Sequence, residues 1–132
     1  MKILFLGDVV GISGCSKIMN NLLNQIEINK IDFVIVNGEN AAAAGVGLTK
    51  EICKDFFKCG VDVITTGNHV WDQKDIMKFI DKENRLLRPK NLFEPAPGKG
   101  FEIYTSKKNI KIGVLNLMGN VFMKKCEDVF ET

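Results

Sequence analysis

Four short apolar runs set the rhythm of the chain, and each ends just before a glycine. KILFL (2–6) runs into Gly7-Asp8, and FVIV (33–36) into Asn37-Gly38-Glu39-Asn40. VDVIT (61–65) runs into Thr66-Gly67-Asn68-His69, and IGVLNL (112–117) into Met118-Gly119-Asn120. Runs rich in valine and isoleucine and bounded by glycine predict buried strands. Their apolarity is continuous rather than alternating, which predicts a sheet covered on both faces, as parallel sheets are.

Helical periodicity fills the gaps between the first three runs. Met19, Leu22, Leu23 and Ile26 follow i, i+3, i+4, i+7 and define one apolar face. After the second run, Thr49 suits an N-cap, Ile52, Cys53, Phe56 and Phe57 form a stripe, and Gly60 suits a C-terminal stop. After the third run, Asp72 and Asp75 suit a first helical turn, with Ile76, Met77, Phe79 and Ile80 on its buried side. Asp8 and Glu39 are 31 positions apart and Glu39 and Asn68 are 29 apart, each the length of a strand–helix–strand unit.

The stretch 84–100 breaks this rhythm. It holds every proline of the chain, Pro89, Pro95 and Pro97, together with Gly98 and Gly100, and predicts a long loop. FEIYT and NIKIGVLNL then flank Ser106-Lys107-Lys108 as a hairpin. The expected fold class is α/β, with a mixed, mostly parallel sheet and flanking helices.

Composition narrows the function classes. A chain of 132 residues suits one domain with a real core. Its 18 basic and 16 acidic residues leave a net charge of +2, too balanced to argue for a nucleic-acid or membrane partner by field alone. No apolar run approaches the length of a bilayer span, and Asp8 interrupts the N-terminal run too early for a signal peptide. Cys15, Cys53, Cys59 and Cys126 include no C-x-x-C pair, so they are expected to be buried and reduced in a cytoplasmic protein.

The chemistry gathers where the runs end. In open α/β sheets, ligands bind beyond the carboxyl ends of the strands. Those ends carry Asp8, Glu39 with Asn40, Asn68 with His69, and Asn120. Parallel strands would bring the first three sets to one cleft: two carboxylates, two carboxamides and the only imidazole of the chain. Such oxygen-rich donors suit Mg²⁺, Mn²⁺ or iron, completed by imidazole and water. Glu39 is placed to bridge two cations, and a metal pair can activate water for phosphoryl displacement.

These segments carry a family resemblance. GDVVG (7–11) resembles a variant of the G-D-x-H-G opening of calcineurin-like metallophosphoesterases, and TGNHVWD (66–72) resembles their G-N-H block. NGENAAAAGVGLT (37–49) and NLMGNVFM (116–123) are closer still to the YmdB-like branch. The resemblance implies a layered metallophosphoesterase-type fold and phosphodiester hydrolysis, notably of 2′,3′-cyclic nucleotides, at a centre of two iron or manganese ions. Carried over, Asp8 and Asn40 bind one metal, Glu39 bridges both, and Asn68 binds the second. His69 becomes the general acid that protonates the leaving ribose oxygen. The resemblance also implies a homo-oligomer at full length and no membrane partner. Family members supply further histidine ligands in later G-H and G-H-x-H blocks, and no histidine follows His69 here. The expectation is therefore that 1–132 is a single metallophosphoesterase-like domain, truncated on its C-terminal side. Alone it would bind metal weakly and leave an apolar sheet edge or face exposed.

Two other readings compete with this one. A nucleotide-binding module is poorly supported, because GISGCSK (11–17) meets neither the P-loop nor the G-x-G-x-x-G pattern. A non-catalytic regulator that binds RNA would use Arg85, Arg88, Lys107, Lys108, Lys124 and Lys125. Trp71, near His69, suits either packing at the entry of a helix or stacking on a nucleobase.

Overall fold

The computed structural model describes residues 1–93 and 95–132, so Glu94, inside the proline-rich stretch, lies outside the described residues. β1 (Ile3–Leu6), β2 (Phe33–Asn37), β3 (Val63–Thr65) and β4 (Leu86–Leu87) form a parallel sheet in that spatial order. α1 (Gly11–Asn29) and α2 (Lys50–Lys58) are the crossovers β1–β2 and β2–β3. β5 (Phe101–Thr105) and β6 (Lys111–Leu115) form a separate antiparallel pair.

Three layers result, and the pleat of β2 explains them. Val34 and Val36 point to one face and pack with Leu22, Ile26, Phe56 and Ile64 under the helices. Phe33 and Ile35 point to the other, where they meet Val63, Leu87, Ile112 and Val114 beneath the hairpin. A strand buried on both faces reads as an unbroken apolar run, which is why FVIV does not alternate.

The helices follow their sequence signals with local corrections. Thr49 caps α2, its hydroxyl accepting the Ile52 N–H at 3.3 Å, and Gly60 takes φ +100° just beyond the end. In α1 the buried face is Cys15, Leu22 and Ile26, with Ile18 and Met19 packed beside them. Leu23, expected on that face, is exposed, because the burying row runs back to Cys15.

After β3 the expected α-helix is replaced by two 3₁₀ segments, Lys74–Lys78 and Ile80–Lys82. Their bonds run three residues back, from Ile76 N–H to Gln73 O, Phe79 N–H to Ile76 O and Lys82 N–H to Phe79 O. Ile76, Phe79 and Ile80 still reach the core, while Met77 is exposed. The stretch 84–100 is not wholly loop either, since Leu86 and Leu87 at its start are fully buried and pair with β3.

All four cysteines are free and buried. Arg88 is buried too, and its guanidinium donates to the carbonyls of Pro89, Lys90, Ala96 and Pro97, which pins the proline-rich loop. It is a structural arginine and offers no surface charge to RNA. Among the described residues no helix is long and apolar enough to cross a membrane. The hairpin covers Phe33 and Ile35 but stops short of β1, where Ile3 is 46% exposed and Phe5 60% exposed on the edge strand. This is the uncovered apolar sheet face expected from the sequence.

Candidate metal centre

The sheet register brings the candidate side chains to one edge. Leu6 pairs with Val36, Val36 with Ile64, and Asn37 with Thr65, so β1, β2 and β3 end level with one another. Their extensions are tied by backbone bonds: Val9 N–H to Asn37 O at 3.2 Å, Gly38 N–H to Thr65 O at 3.0 Å and Gly11 N–H to Asn40 O at 2.9 Å. Phe5, Gly7, Asp8, Asn37 and Glu39 line an open cleft of about 330 Å³ on this edge.

Asp8 and Asn40 meet directly. The Asn40 amide donates from Nδ2 to Asp8 Oδ2 at 2.8 Å. Its other atom, Oδ1, is buried and has no hydrogen-bond partner among the described residues. A buried acceptor left without a donor costs about 1–3 kcal/mol, and a cation would satisfy it.

Glu39 is fixed from two sides. Its N–H donates to Asn37 Oδ1 at 3.4 Å, and its carboxylate lies against the α-carbon of Gly67. A β-carbon at Gly67 would overlap that carboxylate, so this position requires glycine for close approach. Burial pushes the Glu39 carboxyl above its ordinary pKa, and the negative charge of Asp8 pushes the same way. His69 and the contact with Asn37 pull it back. A bound cation would favour the ionised form, as it does for any carboxylate it touches.

Asn68 and His69 occupy the turn after β3, closed by Val70 N–H to Gly67 O at 3.1 Å. The imidazole Nδ1 lies 2.7 Å from Asp72 Oδ2, and both side chains are partly exposed. That contact leaves Nε2 as the ring nitrogen open to a second partner.

Asp8, Glu39, Asn40 and His69 are thus gathered at one edge by hydrogen bonds and mutual charge, with Asn68 in the same turn as His69. Asn120 is not among them: its Oδ1 accepts the N–H of Cys126 at 3.1 Å and the thiol at 3.0 Å, closing a turn near the chain's end. Two contributors were missed in the sequence. Asn37 reads only as the first residue of the turn after FVIV, and its side-chain oxygen accepts the Glu39 N–H two residues on. Asp72 reads as a first-turn acid, although its three-residue spacing from His69 was the available signal. Trp71 packs against the core while lining a surface hollow with Met77, Leu92 and Phe93.

Among the described residues no group of three or more His, Cys, Asp and Glu side chains is arranged to hold a metal ion. The donor set here is half amide, and the unpartnered Asn40 oxygen fits a cation that acids alone do not account for.

A layered α/β fold with acid, amide and imidazole at the carboxyl edge of a parallel sheet places the chain among the metallophosphoesterases. Residues 4–132 match the model of the YmdB-like proteins, and the chain belongs to that family. It is 42% identical over 130 residues to the 2′,3′-cyclic-nucleotide 2′-phosphodiesterase of Bacillus subtilis (strain 168), covering 98% of this chain and 48% of that protein. Two crystal structures, each 34% identical, superpose on 99% of it: a hypothetical protein from Thermus thermophilus with TM-score 0.91, and a novel phosphatase of Mycoplasma pneumoniae with TM-score 0.88. The chain spans 50% and 48% of those two structures, so it covers about half the length of the relatives it matches.

Proposed function

We propose that Asp8, Glu39, Asn40 and Asn68 hold two metal ions, iron or manganese, and that the protein hydrolyses small phosphodiesters, 2′,3′-cyclic nucleotides foremost. The observation that carries this reading is the unpartnered Asn40 oxygen beside Asp8, on the rim where the half-buried Glu39 carboxylate lies. The 42% identity to a relative named for that substrate class supports the choice of substrate.

Asp8 and Asn40 would hold one ion, Asn68 the other, and Glu39 both. The ions would supply an activated water and offset charge on the phosphodiester oxygens. As the imidazolium, His69 delivers a proton from Nε2 to the leaving ribose oxygen and keeps the one on Nδ1, while Asp72 holds Nδ1 and so fixes which nitrogen faces the substrate. Gly67 keeps the turn close enough for Glu39 to share the rim.

The test is hydrolysis of 2′,3′-cyclic AMP by a polypeptide as long as the relatives. Turnover should depend on added Mn²⁺ or iron and cease with chelator. His69→Ala should lower kcat by about 10²–10⁴-fold, the usual worth of a positioned proton donor. Chelator-resistant turnover, or full activity in His69→Ala, contradicts the reading.

A further inference from the structure

A second charged site lies away from the rim, between α2 and the two 3₁₀ segments. Lys50 and Lys54 stand one turn apart on α2, and Lys78 and Lys82 stand four residues apart on the opposing segments. All four line one pocket of about 240 Å³, together with Cys53, Phe79 and Glu83. Four lysines against one glutamate give this lining a formal charge of +3, more than the +2 of the whole chain. The lysines are therefore a local concentration of charge rather than a sample of an evenly basic surface.

The nearby acids have partners other than the four ammonium groups. Glu83 accepts the N–H of Arg85 at 3.2 Å and its Nε at 3.3 Å, and that guanidinium stacks on Phe57 at 3.7 Å. Asp81 accepts Gly98 N–H at 2.6 Å, Asp55 pairs with Lys58 at 2.9 Å, and Asp75 faces the backbone N–H of Lys50 at 3.5 Å. Among the described residues none of the four ammonium groups forms an ion pair. The lining includes two buried groups, Cys53 and Phe79, with the Lys50 ammonium 5.9 Å from the Phe79 ring centre. A concave wall of low polarity focuses the field of the charges around it. The four lysines are exposed, and an anion in the pocket would relieve the mutual repulsion of their charges.

We propose that this pocket is an anion site for a compact phosphate ligand with at least two negative charges, either free phosphate or pyrophosphate or the phosphate end of a nucleotide. Its volume lies below the roughly 300–1,000 Å³ of pockets that enclose whole drug-sized ligands, which suits a phosphate group rather than an entire nucleotide. Lysine ammonium groups supply the point charges that such a group takes. No residue of the pocket belongs to the metal rim, so the two sites are separable.

Amide chemical-shift titration of the 132-residue protein tests this, with pyrophosphate as probe and chelator present. The expected result is saturable shifts in residues 50–58 and 74–83. Lys54→Gln/Lys82→Gln should weaken binding by about tenfold or more, as loss of charge-assisted bonds does. Lys124→Gln/Lys125→Gln, with the same loss of charge, and Glu39→Gln at the rim should leave binding intact. ATP bound as tightly as pyrophosphate identifies the phosphate chain as the ligand, and tighter ATP binding identifies a nucleotide; both outcomes support the site. Non-saturating shifts, equal weakening in the two double variants, or binding of single-stranded RNA without pyrophosphate would overturn it.

Discussion

Asp72 Oδ2 lies 2.7 Å from His69 Nδ1, within a turn in which Asp72 N–H also donates to the His69 carbonyl at 3.1 Å. The backbone bond fixes the separation of the two residues, and the side-chain contact fixes the ring. Because His69 is the only histidine, its ring nitrogens give unambiguous signals. Long-range ¹H–¹⁵N spectra of the neutral ring should show the proton on Nδ1 and a bare Nε2. Asp72→Asn should mix the two tautomers. A bare Nδ1 in the unmodified protein would contradict the arrangement.

Gly67 answers for Glu39. A methyl group there meets the Glu39 carboxylate, which would have to leave its place on the rim. Gly67→Ala should destabilise the fold by about 1–3 kcal/mol, the usual cost of overpacking, and also weaken metal binding. Urea midpoints and Mn²⁺ titrations measure the two effects. An unchanged midpoint together with unchanged metal affinity would show that Glu39 does not depend on this contact.

Asp32 gives the stability a defined acid dependence. Its carboxylate accepts Lys2 N–H at 2.7 Å and Lys108 Nζ at 3.0 Å, with the N-terminal ammonium at 3.9 Å. The Lys2 hydrogen bond, followed by that of Lys108, holds its pKa below the ordinary value. A carboxylate depressed in the folded state stabilises fully above its unfolded pKa, about 3.9, and loses that contribution as pH falls through the lower folded value. Asp32→Asn should therefore be less stable at neutral pH, with the gap closing below about pH 4. Urea midpoints across pH measure it, and a gap constant down to acid would refute it.

Asn91 ties down the end of the chain. Fully buried, it donates from Nδ2 to Met118 O at 2.7 Å and Glu127 O at 3.0 Å, and accepts Met118 N–H at 2.9 Å. Asn91→Ala leaves those backbone groups buried without partners and should cost about 2–3 kcal/mol. Hydrogen exchange should quicken at Met118, whose N–H loses its acceptor; unchanged exchange there would show that the segment is held by other contacts.

Much of this was legible in the sequence because burial leaves a pattern. The first three strands of the parallel sheet read from their unbroken apolar runs, and α2 read from its cap, stripe and terminal glycine. Asp8, Glu39, Asn40, Asn68 and His69 follow the ends of β1, β2 and β3, and parallel topology alone sends those ends to one edge. What failed to read depends on contacts between distant segments. The segment after β3 keeps the apolar spacing of a helix, yet its bonds close at i+3, and no residue type announces that choice. Leu86 and Leu87 hide in a proline-rich stretch because a two-residue strand is too short to show a period. Arg88 looks like surface charge until the carbonyls of the loop fold around it.

The central claim is that Asp8, Glu39, Asn40, Asn68 and His69 face one bound cation centre. Paramagnetic broadening by Mn²⁺ tests it most directly, read at the side-chain amides of Asn40 and Asn68 and at the His69 ring. Substoichiometric Mn²⁺ should broaden those signals first and together, and Glu39→Gln should abolish the effect. Broadening that begins elsewhere, or that persists unchanged in Glu39→Gln, would contradict the claim.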